Sequence, residues 1–504
     1  MKINLKSVMM ASAITVTMAA CTNLDEKLYD QVSMNDYGKT DSEIATIVGG
    51  AYASLRGYST PEGLNCYVAS EFVFFLDECA SDEACIPTRG SDWYDNGVYQ
   101  EVQRHDFKPG NKLFESYWKY CYNGITRVNG IIYQVDKSTL DDESKENVKA
   151  ELRGLRAYYY YLLLNNFGAV PITTDFEEEG LPEKSTTAEV YEFVESELLE
   201  IMDRLPAAVI YGRFTQNVAN GVLARLYLNS EVYIDTPRWQ DCIDACNKIN
   251  GYVLENDYYT NFKQKNEVSR EIMFAATFDQ AMNTVGNFLA RMTYHGYQKF
   301  AVDPAGIWQW SANGICAQPG LYSSFDEKDI RRKSLLIGEQ INLSTGSVII
   351  TDRGEQLIYT EEVNSISDAG NVEGARLHKY EILATDKWEA DNDWVLMRYG
   401  EILMMMAEAN FRLGNTAAAL PLINQIRNRA GLDDLTTLTI EDIDNEWKHE
   451  FVFEGLRRTV NIRFGTFYQP WWEKGETEAY KKVYPIPTNV LALNPKLEQN
   501  PDYQ

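Results

Sequence analysis

Two stretches of the sequence that lack helical or strand periodicity concentrate aromatic, amide and carboxylate side chains. A flat aromatic ring stacks on the apolar C–H face of a sugar, and neighbouring amides hydrogen-bond its hydroxyl groups. Side chains of these kinds in non-periodic segments make both stretches candidates for a ligand-binding site. The candidate binding residues are Trp93, Tyr94 and Asn96 in the first stretch, and Tyr294, Tyr297, Trp308, Trp310 and Asn313 in the second.

Aromatic residues in a large protein also have an ordinary role, which is to fill the core. Trp118 and Trp447 lie on helical apolar stripes, and we assign both to the core. The adjacent pair at 471–472 is assigned to packing. The turn at 90–93 is also compatible with a purely structural loop, so a binding role and a packing role both stay open for Trp93.

The sequence lacks the short motifs of the common catalytic sites. It contains no Gly-x-Ser-x-Gly, His-Glu-x-x-His, P-loop or Gly-x-Gly-x-x-Gly motif, and its 4 His are scattered without paired spacing. We therefore predict no enzyme activity, no cofactor and no metal site. A glycosidase pair of carboxylates is defined by a separation of roughly 5 to 9.5 Å in space, so a glycan-degrading enzyme remains an open alternative.

Composition excludes two classes of partner. The 504 residues include 47 Lys+Arg against 74 Asp+Glu, which gives a formal net charge of −27. Nucleic-acid affinity comes mainly from basic residues that neutralise phosphates, and anionic lipid surfaces attract the same residues. A hydrophobic fraction of 45% is sufficient for a substantial core. We therefore expect a globular protein that binds neither nucleic acid nor an anionic membrane surface.

The N-terminus has the pattern of an export signal over residues 1–20. Lys2 and Lys6 precede a 13-residue apolar stretch, which is too short to span a bilayer but typical of a signal-peptide core. The ending Met-Ala-Ala-Cys at 18–21 resembles the lipobox of bacterial lipoproteins. That resemblance implies cleavage before Cys21, acylation of this residue and a mature charge of −29. An ordinary secretory signal followed by a chance Cys is the open alternative.

Residues beyond the leader refine the expected location. Asp25 and Glu26 resemble the acidic residues that follow the acylated Cys in outward-facing lipoproteins of the Bacteroidetes. No stretch of the mature chain predicts a transmembrane helix. Seven Cys remain after Cys21, and this odd number leaves at least one thiol unpaired. We predict that Cys242 and Cys246 are buried as small apolar side chains. Cys242 and Cys246 share one helical face, where a two-ligand metal site is the alternative.

Most of the mature chain has helical periodicity, with a different composition in the middle. The pattern predicts a helical scaffold over about 40–250 and 393–465, and a loop-rich, ligand-facing region over about 251–392. Gly414 forms the turn of a helix pair over 393–430 that resembles a tetratricopeptide pair. Long loops on a helical scaffold commonly carry binding sites. Helices are predicted at 42–58, 113–135, 141–167, 187–205, 217–233, 238–249, 393–413 and 416–430.

Four segments, in order along the chain, resemble the SusD/RagB family of nutrient-uptake outer-membrane lipoproteins. They cover nearly all of residues 21–504. Their most specific strings are TRGSDWYDNG at 88–97, ELRGLRAYYY at 151–160, MRYGEIL at 397–403, and EFVFEG at 450–455 with YPIP at 484–487.

This resemblance implies a mainly α, SusD-like single domain that has tetratricopeptide-like helix pairs and a large irregular region. It implies an outer-membrane lipoprotein on the extracellular face, which captures glycans and passes them to a SusC-like TonB-dependent transporter. It also implies that the protein has no cofactor and no catalytic activity. Capture of peptides, as in relatives that resemble RagB, is the alternative.

Overall fold

A computed structural model of the chain describes residues 40–503, except 70–71, 280, 282–285, 299–310, 343–344, 352 and 384–389. Helices dominate it. They are α1 (Asp41–Ala53), α2 (Phe74–Cys79), α3 (Val98–Gln103), α4 (Lys112–Lys137), α5 (Asp142–Phe167), α6 (Thr187–Ile201), α7 (Gln216–Leu228), α8 (Ser230–Ile234), α9 (Trp239–Asn247), α10 (Leu289–Thr293), α11 (Leu321–Ser324), α12 (Tyr399–Arg412), α13 (Thr416–Arg429), α14 (Ile440–Glu450), α15 (Arg457–Phe464) and α16 (Thr488–Leu493).

The strands of the described residues are β1 (Gly57–Ser59), β2 (Asn65–Tyr67), β3 (Ala84–Cys85), β4 (Ile272–Ala276), β5 (Cys316–Ala317), β6 (Leu335–Leu336), β7 (Gly338–Glu339), β8 (Ile358–Tyr359), β9 (Arg376–Leu377) and β10 (Trp394–Arg398). In this part of the chain they form five two-stranded antiparallel sheets, β1–β2, β4–β10, β3–β5, β6–β9 and β7–β8. No described helix is both long enough and apolar enough to cross a membrane.

The scaffold is built from long helices that pack side by side. α4 and α5 each have 26 residues, and side-chain caps from Asn111 and Asp141 satisfy their first free amides. The two helices approach closely at Gly124, where an added Cβ would lie 2.2 Å from the ring of Tyr159. Trp118 and Trp447 are buried, which confirms their assignment to the core. One continuous apolar cluster joins the scaffold to the loop-rich region.

The structure corrects two of the predicted helices. Within the stretch predicted to be a helix from 393, Trp394–Arg398 instead form β10, which pairs with β4, and α12 begins only at Tyr399. A short apolar run is ambiguous between helix and buried strand, and here a long-range partner decides it. The predicted helix at 217–233 is divided at Asn229, whose side-chain amide donates to the carbonyl of Arg225 at 2.8 Å. α12 and α13 form the predicted antiparallel pair.

A buried ion network joins the scaffold to the loop-rich region. Arg398, at the end of β10, donates to Glu271 at 2.7 Å and to Glu450 at 2.6 Å. Arg429, the last residue of α13, bonds to the same two carboxylates. Arg331, from the loop-rich region, reaches Glu450 at 3.0 Å. We call these five residues the central ion network.

The central ion network is inaccessible to solvent, with side-chain exposures between 0% and 3%. Burial alone would raise the pKa of Glu450, but the three guanidinium groups around this carboxylate hold its pKa well below its ordinary range. Glu450 therefore stays charged at neutral pH. A complete buried ion network contributes little net stability. Removing one member, however, leaves buried charges without partners, which is strongly destabilising.

Replacing Glu450 by Gln tests this dependence. The substitution keeps the shape of the side chain but leaves three guanidinium groups with one carboxylate fewer. We expect the free energy of unfolding to fall by about 3–5 kcal/mol, measured by urea denaturation. The exposed pair Lys328–Asp433 provides the control, because Asp433→Asn should change stability by less than about 0.5 kcal/mol. Equal stability of the Glu450→Gln and wild-type proteins would contradict the prediction.

Candidate functional site

The structure brings the two aromatic stretches into contact, and Trp93 makes the contact. Its indole Nε1 donates to the carbonyl oxygen of Ala312 at 2.6 Å. Its ring packs on Gly314, where an added Cβ would lie 2.4 Å from the indole Cζ2. The indole ring also packs against the rings of Phe75 and Tyr99, at centroid distances of 6.5 and 5.7 Å. Trp93 therefore connects the 92–97 loop to the 312–314 segment.

The loop that follows Trp93 has an unusual backbone. Trp93, Asp95 and Asn96 have φ angles of 63°, 44° and 59°, and Gly97 has 81°. Each non-glycine residue in the left-handed region costs about 1–2 kcal/mol, so packing around the loop must impose this conformation. Such strain is concentrated at functional sites in many proteins. The result here is that Tyr94 projects outward with 54% of its surface exposed.

Backbone hydrogen bonds hold the second stretch against the same segment. The backbone amide of Ala312 donates to the carbonyl oxygen of Arg291 at 2.7 Å, and that of Asn313 donates to the carbonyl oxygen of Tyr294 at 3.0 Å. The amide of Gly314 donates to Met292 at 2.8 Å. The 291–294 and 312–314 segments therefore lie side by side, next to Trp93.

Tyr294 is in the predicted region but is not accessible to a ligand. Its ring is 1% exposed, and its hydroxyl lies 2.6 Å from Nδ1 of His378. Burial raises the pKa of Tyr294 and lowers that of His378 to about 4. Nδ1 of the neutral His378 imidazole can accept a hydrogen bond from the Tyr294 hydroxyl. The prediction of direct ligand contact is therefore corrected for Tyr294, which supports the fold beneath the site.

Tyr297 is the exposed aromatic residue of the second stretch, with 37% of its surface accessible. Its amide donates to Nδ1 of His295 at 3.2 Å, and the two rings lie 5.6 Å apart with an angle of 33° between their planes. These contacts orient the Tyr297 ring while leaving part of it open to solvent.

Asn313 is partly engaged by the protein. Its Oδ1 accepts from Nη2 of Arg376 at 2.9 Å, and its Nδ2 donates to the carbonyl of Asn371 at 2.9 Å. A side-chain amide has two donor and two acceptor positions, so each end of Asn313 keeps one unused by these bonds. Burial and the neighbouring charge of Arg89 lower the pKa of Arg376 to about 10. Sequence reasoning missed Arg376, because an isolated Arg in a β-type run gives no signal.

Three of the predicted functional residues are not among the described residues. Trp308 and Trp310 fall in the gap at 299–310, and Cys21 precedes residue 40. Asn96 is described and exposed. The candidate surface therefore consists of Tyr94, Asn96 and Tyr297, with Trp93 and Asn313 between the loops that carry them.

This surface has the groups needed for stacking and hydrogen bonding. Among the described residues, no group of three or more His, Cys, Asp or Glu side chains could hold a metal ion. A separate cavity of about 430 Å³ lies between the end of α5, the start of α6 and α15. It contains none of the predicted binding residues.

Two family models match the chain over adjacent ranges. Residues 229–503 match the SusD family, and residues 68–228 match a model described as starch-binding and associating with the outer membrane. The chain is 27% identical to the starch-binding protein SusD of Bacteroides thetaiotaomicron over 470 residues, which is 82% of each protein.

Solved structures share the fold. The surface glycan-binding protein A of B. thetaiotaomicron in complex with laminarihexaose aligns with a TM-score of 0.72 and 22% identity, over 92% of this chain and 100% of the other. A laminarin-binding SusD-like protein aligns with a TM-score of 0.71 and 20% identity, over the same shares. The mainly α architecture is confirmed, and the match to more than half of its length establishes that the chain belongs to the SusD family.

Proposed function

We propose that this protein binds oligosaccharides at the surface formed by the 92–97 loop and the segments at 294–298 and 312–314. The observation that carries the proposal is the contact of Trp93 with Ala312 and Gly314, which joins two separate stretches rich in aromatic and amide groups. Tyr94 and Tyr297 present exposed rings there, suited to the C–H faces of sugars. The starch-binding relative and the laminarihexaose complex of a structural neighbour support the same ligand class.

We further propose that the protein acts as a tethered capture module. Acylation at Cys21 would anchor it to the outer membrane, facing outward, beside a SusC-like TonB-dependent transporter that receives the glycan. One acyl chain gives only marginal anchoring, so two or more chains are expected on Cys21. Tethering many copies beside a transporter raises the effective ligand concentration and offsets weak binding at each shallow site.

Mutation of the exposed aromatic residues tests the binding surface. Glycan binding is measured by retention in affinity gels. Tyr94→Ala and Tyr297→Ala should each weaken the affinity by roughly fivefold, because each removes about 1 kcal/mol of stacking. The Trp308→Ala/Trp310→Ala double variant should abolish retention, with an unchanged Tm. The mature protein with Cys21→Ser is used, so that it is soluble.

The Phe176→Ala variant is the matched control, since Phe176 is 45% exposed and lies outside both stretches. It should retain glycan like the wild type. Unchanged retention in all the site variants would rule out this surface. Release of reducing sugar would establish the enzyme alternative. Retention of oligopeptides without any glycan response would favour peptide capture.

The position of Trp93 provides a separate test. Gly314→Ala would place a methyl group within 3 Å of the indole, so the ring must move and the 92–97 loop with it. We expect a loss of about 1–3 kcal/mol in unfolding free energy and weaker glycan binding. Gly110→Ala is the control, because an added Cβ there has no neighbour within 4 Å. Wild-type binding by Gly314→Ala would show that Trp93 does not position the site.

The anchor and the partner are tested together in cells. Cys21→Ala should prevent acylation and reduce the outer-membrane fraction, while the protein that is secreted still binds glycan in solution. Wild-type protein should co-purify with a TonB-dependent barrel from detergent-solubilised outer membranes. Unchanged membrane association of Cys21→Ala would contradict the lipid anchor, and the absence of any barrel would contradict the capture-module proposal.

A further inference from the structure

Two buried cysteines face each other across β3 and β5, two short strands that pair although the cysteines are 231 positions apart. Cys85 of β3 and Cys316 of β5 are directly paired in antiparallel register. Their Sγ atoms lie 3.8 Å apart, and both residues are fully buried. Opposed residues in antiparallel strands have Cα atoms about 4.5–5.5 Å apart, which lies within the range that a disulfide spans.

Two buried guanidinium groups lie next to this pair. Arg89 is 3% exposed and Arg376 is 0% exposed. Among the described residues, neither forms a salt bridge with a carboxylate. Arg89 donates to the carbonyls of Gly370 and Glu373, and its Nη2 lies 3.4 Å from Sγ of Cys316. The sulfur of Cys316 therefore lies within hydrogen-bond distance of Arg89, and as a thiolate it would supply the anion that Arg89 lacks. Arg376 acts on the same sulfur through its charge.

The protonation states of the two thiols differ accordingly. The hydrogen bond from Cys85, aided by the charges of Arg89 and Arg376, lowers the pKa of Cys316 to about 6 against the opposing effect of burial. Burial raises the pKa of Cys85 well above its ordinary value. The two shifts favour a pair made of one thiolate, Cys316, and one thiol, Cys85, that donates to it. This is the reactive arrangement for thiol–disulfide exchange.

We propose that Cys85 and Cys316 form a reversible disulfide across β3 and β5, made by exchange with an external disulfide. The Cys316 thiolate and the Cys85 thiol together lose two electrons and one proton as the S–S bond forms. The external disulfide takes up both electrons and the proton, its own S–S bond breaks, and it leaves as one thiol and one thiolate. Because both sulfurs are buried, exchange takes place during folding or through local opening of the two strands.

Reversibility follows from the charges. Disulfide formation removes the thiolate and leaves the buried cations of Arg89 and Arg376 without their anion. Interactions that stabilise the reduced thiolate make a disulfide easier to reduce. Unlike a permanent structural disulfide, the bond would therefore form or break with the ratio of thiols to disulfides around the protein. It would also join the segments that carry the candidate surface, since Cys316 follows Gly314 by two residues. The proposal does not depend on glycan binding.

Thiol counting tests the proposal on the mature protein with Cys21→Ser, which has seven cysteines. Folded protein, and protein refolded in the same buffer, are equilibrated with oxidised glutathione, denatured and alkylated. We expect five alkylated cysteines and one cross-linked peptide pair that contains Cys85 and Cys316. Reduced glutathione should restore seven. Seven alkylated cysteines under every condition, or a bond between Cys242 and Cys246 instead, would overturn the proposal.

Variants of Arg89 test the reason for reversibility. At a fixed ratio of reduced to oxidised glutathione, Arg89→Gln should raise the ratio of disulfide to dithiol by about tenfold, because the reduced thiolate loses a stabilising charge. Arg89→Lys keeps the charge and should stay within about twofold of the wild type. An unchanged ratio in Arg89→Gln would overturn the charge argument. If that variant fails to fold, the peptide mapping of the wild-type protein still decides whether the bond forms.

Discussion

The central ion network is the constraint on which the arrangement of the fold depends. Its two carboxylates, Glu271 and Glu450, are buried and each is satisfied by arginines from other elements. A charge left unpaired in a protein interior costs several kcal/mol. The cost of burying these charges is therefore offset only when β10, α13, α14 and the 330–334 turn are all in place. This requirement fixes the loop-rich region on the scaffold.

Aromatic residues have two roles, packing in the core and exposure at the candidate surface, and their surroundings decide which. The rings of α4 and α5 fill the space between helices, and there a glycine lets one helix approach the ring of another. Trp93 has the same kind of contact with Gly314, but at the edge of the scaffold, where it fixes a loop whose next ring points outward. Buried aromatic residues thus build a rigid frame, and a few exposed ones present their rings on its surface.

The helices of the scaffold could be predicted because they are long and amphipathic. α4 and α5 agree with the sequence prediction to within two residues at each end. The type of chemistry in the two aromatic stretches was also visible in the sequence. Their contact was not, since Trp93 and Ala312 are 219 positions apart. The burial of Tyr294 and the roles of Arg89 and Arg376 depend equally on neighbours that are distant in sequence.

The pairing of β3 with β5 has a consequence for the order in which the protein acquires its structure. The two strands are 231 positions apart, whereas α4 and α5 follow each other directly. Closing such a long loop costs entropy before any contact repays it, so distant strands pair later than neighbouring helices. The α4–α5 pair therefore forms before the sheet beneath the 312–314 segment. A chain that stops before residue 317 would lack β5 and also Arg398, Arg429 and Glu450. It could complete neither the sheet nor the central ion network, so the recognition surface is assembled only after the C-terminal part of the chain has been made.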